Sequence, residues 1–195
     1  DHMQWLAENL CLIGMEKAGL PPAASPLLIG EADPPPGLLD APAGIGASVQ
    51  RAGVDFHAKR RDQGWRWRHA DGSVLELADP PLQGVTQYAN AAAAIAAMHA
   101  LRNNPRWIAN GRDRFDQAIA QGLRAARVPG RLQCLQQAPE VIVDVAHNPQ
   151  AARVLAQWLD THPVGGRTHA VFGALADKDV AGVLAALLAH IDAWH

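Results

Sequence analysis

The chain has 195 residues, 49% of them apolar, with 17 basic residues against 19 acidic ones and two cysteines, Cys11 and Cys134. Such a length and apolar content suit one good core or two small ones, and the near-neutral balance supplies no field for nucleic acid or an anionic membrane. The cysteines form no C-x-x-C or Cys/His cluster, which argues against a zinc site or a disulfide framework and fits a reducing cytoplasm.

Opening on Asp1-His2-Met3, without an initiating methionine or a charged-then-apolar leader, the chain reads as a fragment. Trp5, Leu6, Leu10, Leu12 and Ile13 among polar positions predict a helix over residues 4–17 that ends near Gly19 and Pro21-Pro22. Leu27 to Gly30 reads as a buried strand running into the rigid Pro34-Pro35-Pro36 turn, and Gly44 to Ala52 as a short helix. From Val54 to Leu77, Trp65 and Trp67 alternate with Arg66 and Arg68, and Ala70-Asp71-Gly72-Ser73 has turn chemistry. This predicts a β-hairpin at a sheet edge, with the tryptophans packed inward rather than forming a base-stacking platform.

Asn90 to Leu101 is an alanine-rich helix, since alanine has the best intrinsic propensity. Even its apolar stretch, Ala91 to Leu101, is about half of the roughly 20 residues a membrane span needs. A further helix, Phe115 to Ala126, ends at Val128-Pro129-Gly130, where a domain boundary is placed. Beyond it, Val141-Ile142-Val143 is a β-branched strand, and Ala151, Val154, Leu155, Trp158 and Leu159 form one stripe of a helix. His169 to Gly173 reads as the next strand, and Val180, Val183, Leu184, Leu187, Leu188 and Ile191 as one face of the next helix. Strand-helix-strand-helix with short connections predicts α/β architecture with a parallel, doubly wound sheet, and Ile191 to His195 adds no strand.

Ligands of such a sheet gather at the carboxyl ends of its strands, where Asp144 to Asn148 lie. Asn148 can cap a helix whose first residue is Pro149, and the amides and dipole of that helix end suit a phosphate. Asp144 could accept from ribose hydroxyls and His147 donate to a phosphate oxygen. The same residues also make sense as a plain turn and helix start, and spacing alone leaves both readings open.

The run Asp144-Val145-Ala146-His147-Asn148-Pro149-Gln150-Ala151-Ala152 resembles the D-x-A-H-N-P-x-A-A signature of folylpolyglutamate and dihydrofolate synthases, members of the Mur ligase superfamily. Four other segments are similar in order: Asp1-His2 with Glu16-Lys17-Ala18-Gly19-Leu20, Gln87 to Ala92, Pro129-Gly130-Arg131-Leu132-Gln133, and Asp177-Lys178-Asp179. The resemblance implies the end of a Mur-ligase-type ATPase domain with its β-hairpin over residues 1–127. A truncated Rossmann-like parallel α/β domain would follow over residues 128–195. It implies a monomeric ligase that uses ATP and Mg2+ to join L-glutamate to dihydropteroate or folate through an acyl phosphate.

By the same resemblance, Lys17 would be carbamylated and hold the magnesium with His2, because a carbamate offers the oxygen ligands a hard cation needs and an ammonium does not. Arg131 would reach ATP phosphate, Asn90 the adenine, Asp144 and His147 the nucleotide, and Asp177 and Lys178 the incoming amino acid. Lys17, Arg131 and His147 would be the catalytic residues. Taken singly, Lys17 also fits a solvated surface lysine, Arg131 a surface ion pair, Asn90 a helix N-cap, and Asp177-Lys178-Asp179 helix-capping charges.

The sequence departs from the family in having no glycine-rich phosphate loop; neither Ala43-Gly44-Ile45-Gly46-Ala47 nor Pro163-Val164-Gly165-Gly166 is followed by a lysine. Ala7, Thr86 and Leu132 replace the usual glycine, histidine and phenylalanine. The expectation is therefore an internal-to-C-terminal portion that is inactive alone. Two other readings stand beside it: a non-catalytic nucleotide-binding or docking module, and a Mur-type ligase for another acid.

Overall fold

A computed structural model describes residues 12, 14–16, 25–35, 38–39, 46–102 and 112–195. Residues 12 and 14–16 are helical; the rest of the helix expected over 4–17 lies outside the described residues. The chain divides into two compact units, one built from residues 2–81 and 87–126, the other from 82–86 and 127–195.

In the first unit, β1 (Pro26–Ile29) is the expected strand. The short helix expected over 44–52 is instead a strand, β2 (Ser48–Arg51), running parallel to β1 with Pro26 opposite Ser48 and Ile29 opposite Arg51. Gly46 sits at φ 65°, which halts a right-handed helix, and ladder bonds to β1 then outweigh the weak local helical preference of this stretch.

Residues 56–77 form a three-stranded antiparallel sheet, β3 (Phe56–Arg60), β4 (Trp65–His69) and β5 (Val74–Leu77), rather than one hairpin at an edge. The strand carrying the tryptophans is the central one. Pairing places Phe56, Ala58, Trp65, Trp67, Leu75 and Leu77 on one face and His57, Lys59, Arg66, Arg68 and Glu76 on the other. The apolar face lies on α1 (Thr86–Leu101), whose Ala91, Ala92, Ile95 and Ala96 complete the core. Alanine at these positions lets the sheet approach closely, and the two indoles fill the space; Trp67 is fully buried and Trp65 1% exposed. Their burial contributes roughly 4–6 kcal/mol each in transfer free energy. Both indole N–H groups are satisfied by carbonyls, Trp65 by Ala78 and Trp67 by Ala92, so neither ring is a platform for bases. Ile119, Ala120 and Leu123 of α2 (Arg112–Ala125) pack on the margin of this core.

Polar contacts close the sheet's two ends. Tyr88 on α1 meets Trp65 edge-on, lies under the Arg60 guanidinium, and donates its hydroxyl to Asp79 at 2.8 Å. At the β4–β5 turn, burial pushes the Asp71 carboxyl up, but hydrogen bonds from the Ser73 amide and hydroxyl and from His69, with the charge of His99, more than offset this and hold it far below the usual carboxylate range.

The second unit begins with an antiparallel pair, β6 (Gln133–Gln137) and β7 (Glu140–Val143), bulged between Cys134 and Gln136. The expected strand at 141–143 is present, but its partner is the polar β6, and Val141 and Val143 remain exposed. Next come α3 (Pro149–Thr161), a two-residue strand β8 (His169–Ala170) and α4 (Val180–Leu187). Contrary to the expectation for the last residues, Ala193–Trp194 form a strand, β9, parallel to β8. The α/β class thus holds with mixed rather than wholly parallel pairing.

The helices α3 and α4 share a core of Ala152, Ala156, Val183 and Leu187, flanked by Leu155, Leu159, Phe172, Ile191 and Trp194. Ala152 and Ala156 therefore centre the α3 stripe, while Trp158 packs to one side and donates to Gln83. Leu188, expected on the α4 stripe, is 61% exposed because the chain tightens into a 3-10 turn over Leu188–His190 and rotates it away. Among the described residues no helix is long and apolar enough to cross a membrane.

Two measurements check this architecture. Gly64 sits at φ 73°, and a Cβ there would lie 2.2 Å from the Leu77 carbonyl oxygen, whereas Gly72 at φ 89° has open space around it. Gly64→Ala is expected to cost on the order of 2–4 kcal/mol in urea unfolding and Gly72→Ala about 1 kcal/mol; equal costs would contradict the described turn. Burial, the hydrogen bond to Asp79 and the Asp79 charge together raise the Tyr88 phenol above its ordinary value, against the opposing Arg60. Tyr88 is the one tyrosine in the sequence, so ultraviolet titration reads it directly, and Asp79→Asn should lower its midpoint. Because the folded value is the higher one, this contact's stabilisation is complete below the unfolded tyrosine value near 10 and disappears as pH rises through the folded value.

Candidate functional site

Asp144 stands just past β7, half-buried, and uses both carboxylate oxygens. Oδ2 accepts the Leu132 amide at 2.9 Å and Oδ1 the Ala146 amide at 2.8 Å. The Val145 amide donates to the Gly130 carbonyl at 2.8 Å, and the Gly130 amide donates to Gln133 Oε1. One carboxylate therefore fastens the turn carrying Arg131 to the loop carrying His147. The turn needs its unusual residues: Gly130 is at φ 72°, where an added Cβ would meet Val145 Cγ1 at 2.7 Å. Leu132 adopts φ 44° although it is not glycine. That left-handed conformation is unfavourable for leucine and is compensated by the Asp144 contact and by burial of the side chain.

The loop then enters α3 as expected. Asn148 is the N-cap, its side-chain oxygen accepting the Ala151 amide at 2.8 Å, and Pro149 takes the first turn. His147 is exposed and its Nδ1 lies 2.8 Å from the Val145 carbonyl. A carbonyl can only accept, so Nδ1 carries the proton and neutral His147 presents Nε2 as an acceptor; donation to a phosphate from Nε2 requires the imidazolium.

The start of α4 lies beside that of α3. Gly182, in the first turn of α4, leaves so little room that a Cβ would stand 2.6 Å from Pro149 Cγ and 2.4 Å from Asp179 Oδ2. Two helix N-termini thus present their positive ends side by side, which favours an anionic ligand. Asp179 caps α4 through Gly182, which bears out the capping alternative for that residue. Asp177 and Lys178 precede it and form an ion pair at 3.0 Å.

The second unit therefore joins, through the Asp144 carboxylate, the turn carrying Arg131 to the loop carrying His147, with Asp177 and Lys178 on the loop before the neighbouring helix. Arg131 is exposed on its turn. Asn90 belongs to the other unit, one turn inside α1, where its amide donates to Gln87 at 3.3 Å. The helix starts at Thr86, so the N-cap reading of Asn90 is incorrect. His2 and Lys17 lie outside the described residues. Sequence reasoning missed Gln133 and Gly182; nothing local marks Gln133 as the brace of the Gly130 turn or Gly182 as the contact between helices.

Residues 130–195 match the family model for the Mur ligase, glutamate ligase domain. Over all 195 residues the chain is 38% identical to the dihydrofolate synthase/folylpolyglutamate synthase of Escherichia coli K12, spanning 43% of that protein. Among solved structures, E. coli FolC in complex with DHPP and ADP superposes with a TM-score of 0.85 at 37% identity, covering all of this chain and 44% of the other. A bifunctional folylpolyglutamate synthase/dihydrofolate synthase with Mn, AMPPNP and L-glutamate bound gives 0.81 at 39% identity, with the same coverage. The chain thus spans less than half the length of these relatives.

Removing the carboxylate tests the brace. Asp144→Ala leaves the Leu132 and Ala146 amides without their acceptor, a loss of about 1–3 kcal/mol for each one that water cannot reach. Amide hydrogen exchange at both positions should accelerate, with Asp144→Asn intermediate; unchanged protection at both would show that the turn holds itself.

Proposed function

Since the chain is similar along its whole length to dihydrofolate/folylpolyglutamate synthases and its residues 130–195 match the Mur ligase, glutamate ligase domain, we propose that it forms part of an ATP-dependent ligase joining L-glutamate to dihydropteroate or tetrahydrofolate. Residues 1–127 would be the later part of the ATPase domain and residues 128–195 the start of the glutamate ligase domain. The observation that carries this reading is the Asp144 brace, which joins the Arg131 turn and the His147 loop at the entrance of α3.

The reaction would pass through two displacements. The pteroate or folate carboxylate attacks the γ-phosphorus of ATP, releasing ADP and forming an acyl phosphate. The glutamate amine then attacks the acyl carbon, expels phosphate and loses a proton. Arg131, permanently charged and planar, is suited to the phosphate oxygens in both. His147 would contribute a hydrogen bond there as the imidazolium, and the paired N-termini of α3 and α4 a favourable field. Asp144, with both oxygens engaged, acts mainly by holding Arg131 and His147, with lone pairs remaining for a ribose hydroxyl. Asp177 and Lys178 would meet the charged groups of glutamate, and Asn90 the adenine. His2 and a carbamylated Lys17 would hold the divalent ion, which when bound offsets phosphate charge.

The relatives' names favour a folate substrate over a cell-wall precursor. With a net charge of −2 and no span-length apolar helix among the described residues, we also propose a monomer acting in the cytoplasm without nucleic acid.

The test is folate- and glutamate-dependent ADP release by the full gene product that contains this segment. Arg131→Ala should lower kcat by roughly a hundredfold or more while the protein stays folded. The 195-residue chain, having no glycine-rich phosphate loop among its residues, should release none. Unchanged turnover in Arg131→Ala, or a preference for a cell-wall nucleotide over pteroate, would overturn the assignment.

A further inference from the structure

The β4–β5 turn and the last turn of α1 bring two imidazoles onto one carboxylate. His69 Nδ1 lies 3.1 Å from Asp71 Oδ1, and His99 Nε2 lies 3.4 Å from Asp71 Oδ2. Both imidazoles are largely buried, their ring centres 4.4 Å apart, with the Trp67 indole 5.9 Å from one and 5.2 Å from the other.

Both ring nitrogens have polar neighbours besides the carboxylate. His69 Nδ1 lies within reach of both the Asp71 amide, at 3.3 Å, and the Asp71 carboxylate. Arg102 Nη1 donates to Ser73 Oγ at 2.9 Å, and that oxygen lies 3.2 Å from His99 Nε2. A bound ion would take the place of these hydrogen bonds, drawing one lone pair from each ring and one carboxylate oxygen.

The spacing suits a metal ion. Ligand atoms at 2.0–2.1 Å from a tetrahedral centre lie about 3.4 Å from one another; each ring nitrogen lies near that distance from one of the two carboxylate oxygens, and one ligand atom from each of His69, Asp71 and His99 falls within a 4.8 Å group. We propose that His69, Asp71 and His99 bind one divalent transition-metal ion of the zinc type, with Ser73 or water in the fourth position. Two imidazoles and a carboxylate select such an ion over magnesium or calcium, which take oxygen ligands. The bound ion would cross-link the hairpin turn to the end of α1. Arg102 is the competing cation, its Nη2 2.8 Å from Asp71 Oδ2, and metal binding would loosen that ion pair. Cysteine spacing gave no sign of this site, because it contains no cysteine.

Calorimetric titration of Zn2+, and optical titration of Co2+, into the metal-stripped 195-residue chain test the proposal. One ion per chain is expected, with the intense visible bands of four-coordinate cobalt. His69→Gln and His99→Gln should each weaken binding about tenfold or more, and Arg102→Gln should strengthen it by removing the competitor. Absence of binding overturns the proposal, as does binding that survives both histidine substitutions, which would point instead to a pair such as exposed His169 and His195, 3.2 Å apart. Should the variants fail to fold, Co2+ broadening of the His69 and His99 ring resonances in the unsubstituted chain decides: broadening centred there supports the site, and broadening centred elsewhere overturns it.

Discussion

The carboxylate of Asp144 accepts an amide from the Arg131 turn with one oxygen and an amide from the His147 loop with the other. Residues 127–195 depend on this arrangement in two ways. It holds Leu132 in a left-handed conformation that leucine does not adopt readily, and so keeps Arg131 projecting from a turn that would otherwise relax. It also fixes the path by which the chain leaves β7 and reaches Asn148, and so the position of the α3 N-terminus. Candidate phosphate-binding groups are thus mounted on backbone held by charge-assisted hydrogen bonds, which are shorter and stronger than neutral ones.

A second constraint acts between the helices of that unit. The absence of a side chain at Gly182 lets the first turn of α4 approach Pro149, and small residues Ala152 and Ala156 continue the close contact into the core. Close packing aligns the two positive helix ends, so the small residues bear on the electrostatics of the candidate site as well as on its stability. In the other unit the complement of small and large side chains runs between sheet and helix: alanines of α1 receive Trp65 and Trp67. Burial of those indoles takes the central strand out of any role in stacking bases, and the same strand carries His69 to the edge of the core, where it meets Asp71.

Several elements were legible because their causes are local. Asn148-Pro149 specifies a cap and a first turn within a few residues, and the α3 and α4 stripes need only the helical period. Alanine propensity marks α1, and Asp71-Gly72 marks a turn. Where the reading failed, the deciding partner was distant or the local signal weak. Residues 48–51 became a strand because β1 offers a ladder, Gln133–Gln137 because β7 does, and Ala193–Trp194 because β8 does. The α4 stripe failed at Leu188, where a 3-10 turn replaces the α-helical period.

By itself, the sequence determined the α/β class and the position of most helices, which follow from periodicity and capping, while only the resemblance of its motifs to a known family's pointed to Arg131, Asp144 and His147. Tertiary structure alone decided that Asp144 is first a brace, 12 residues from the Leu132 amide it holds, and that Asp71 meets Arg102 across 31 residues of chain. The physical reason is the same in both cases. A hydrogen bond or ion pair depends on distances of about 3 Å, and folding brings such groups together through strand pairing and core packing that no short window of sequence encodes.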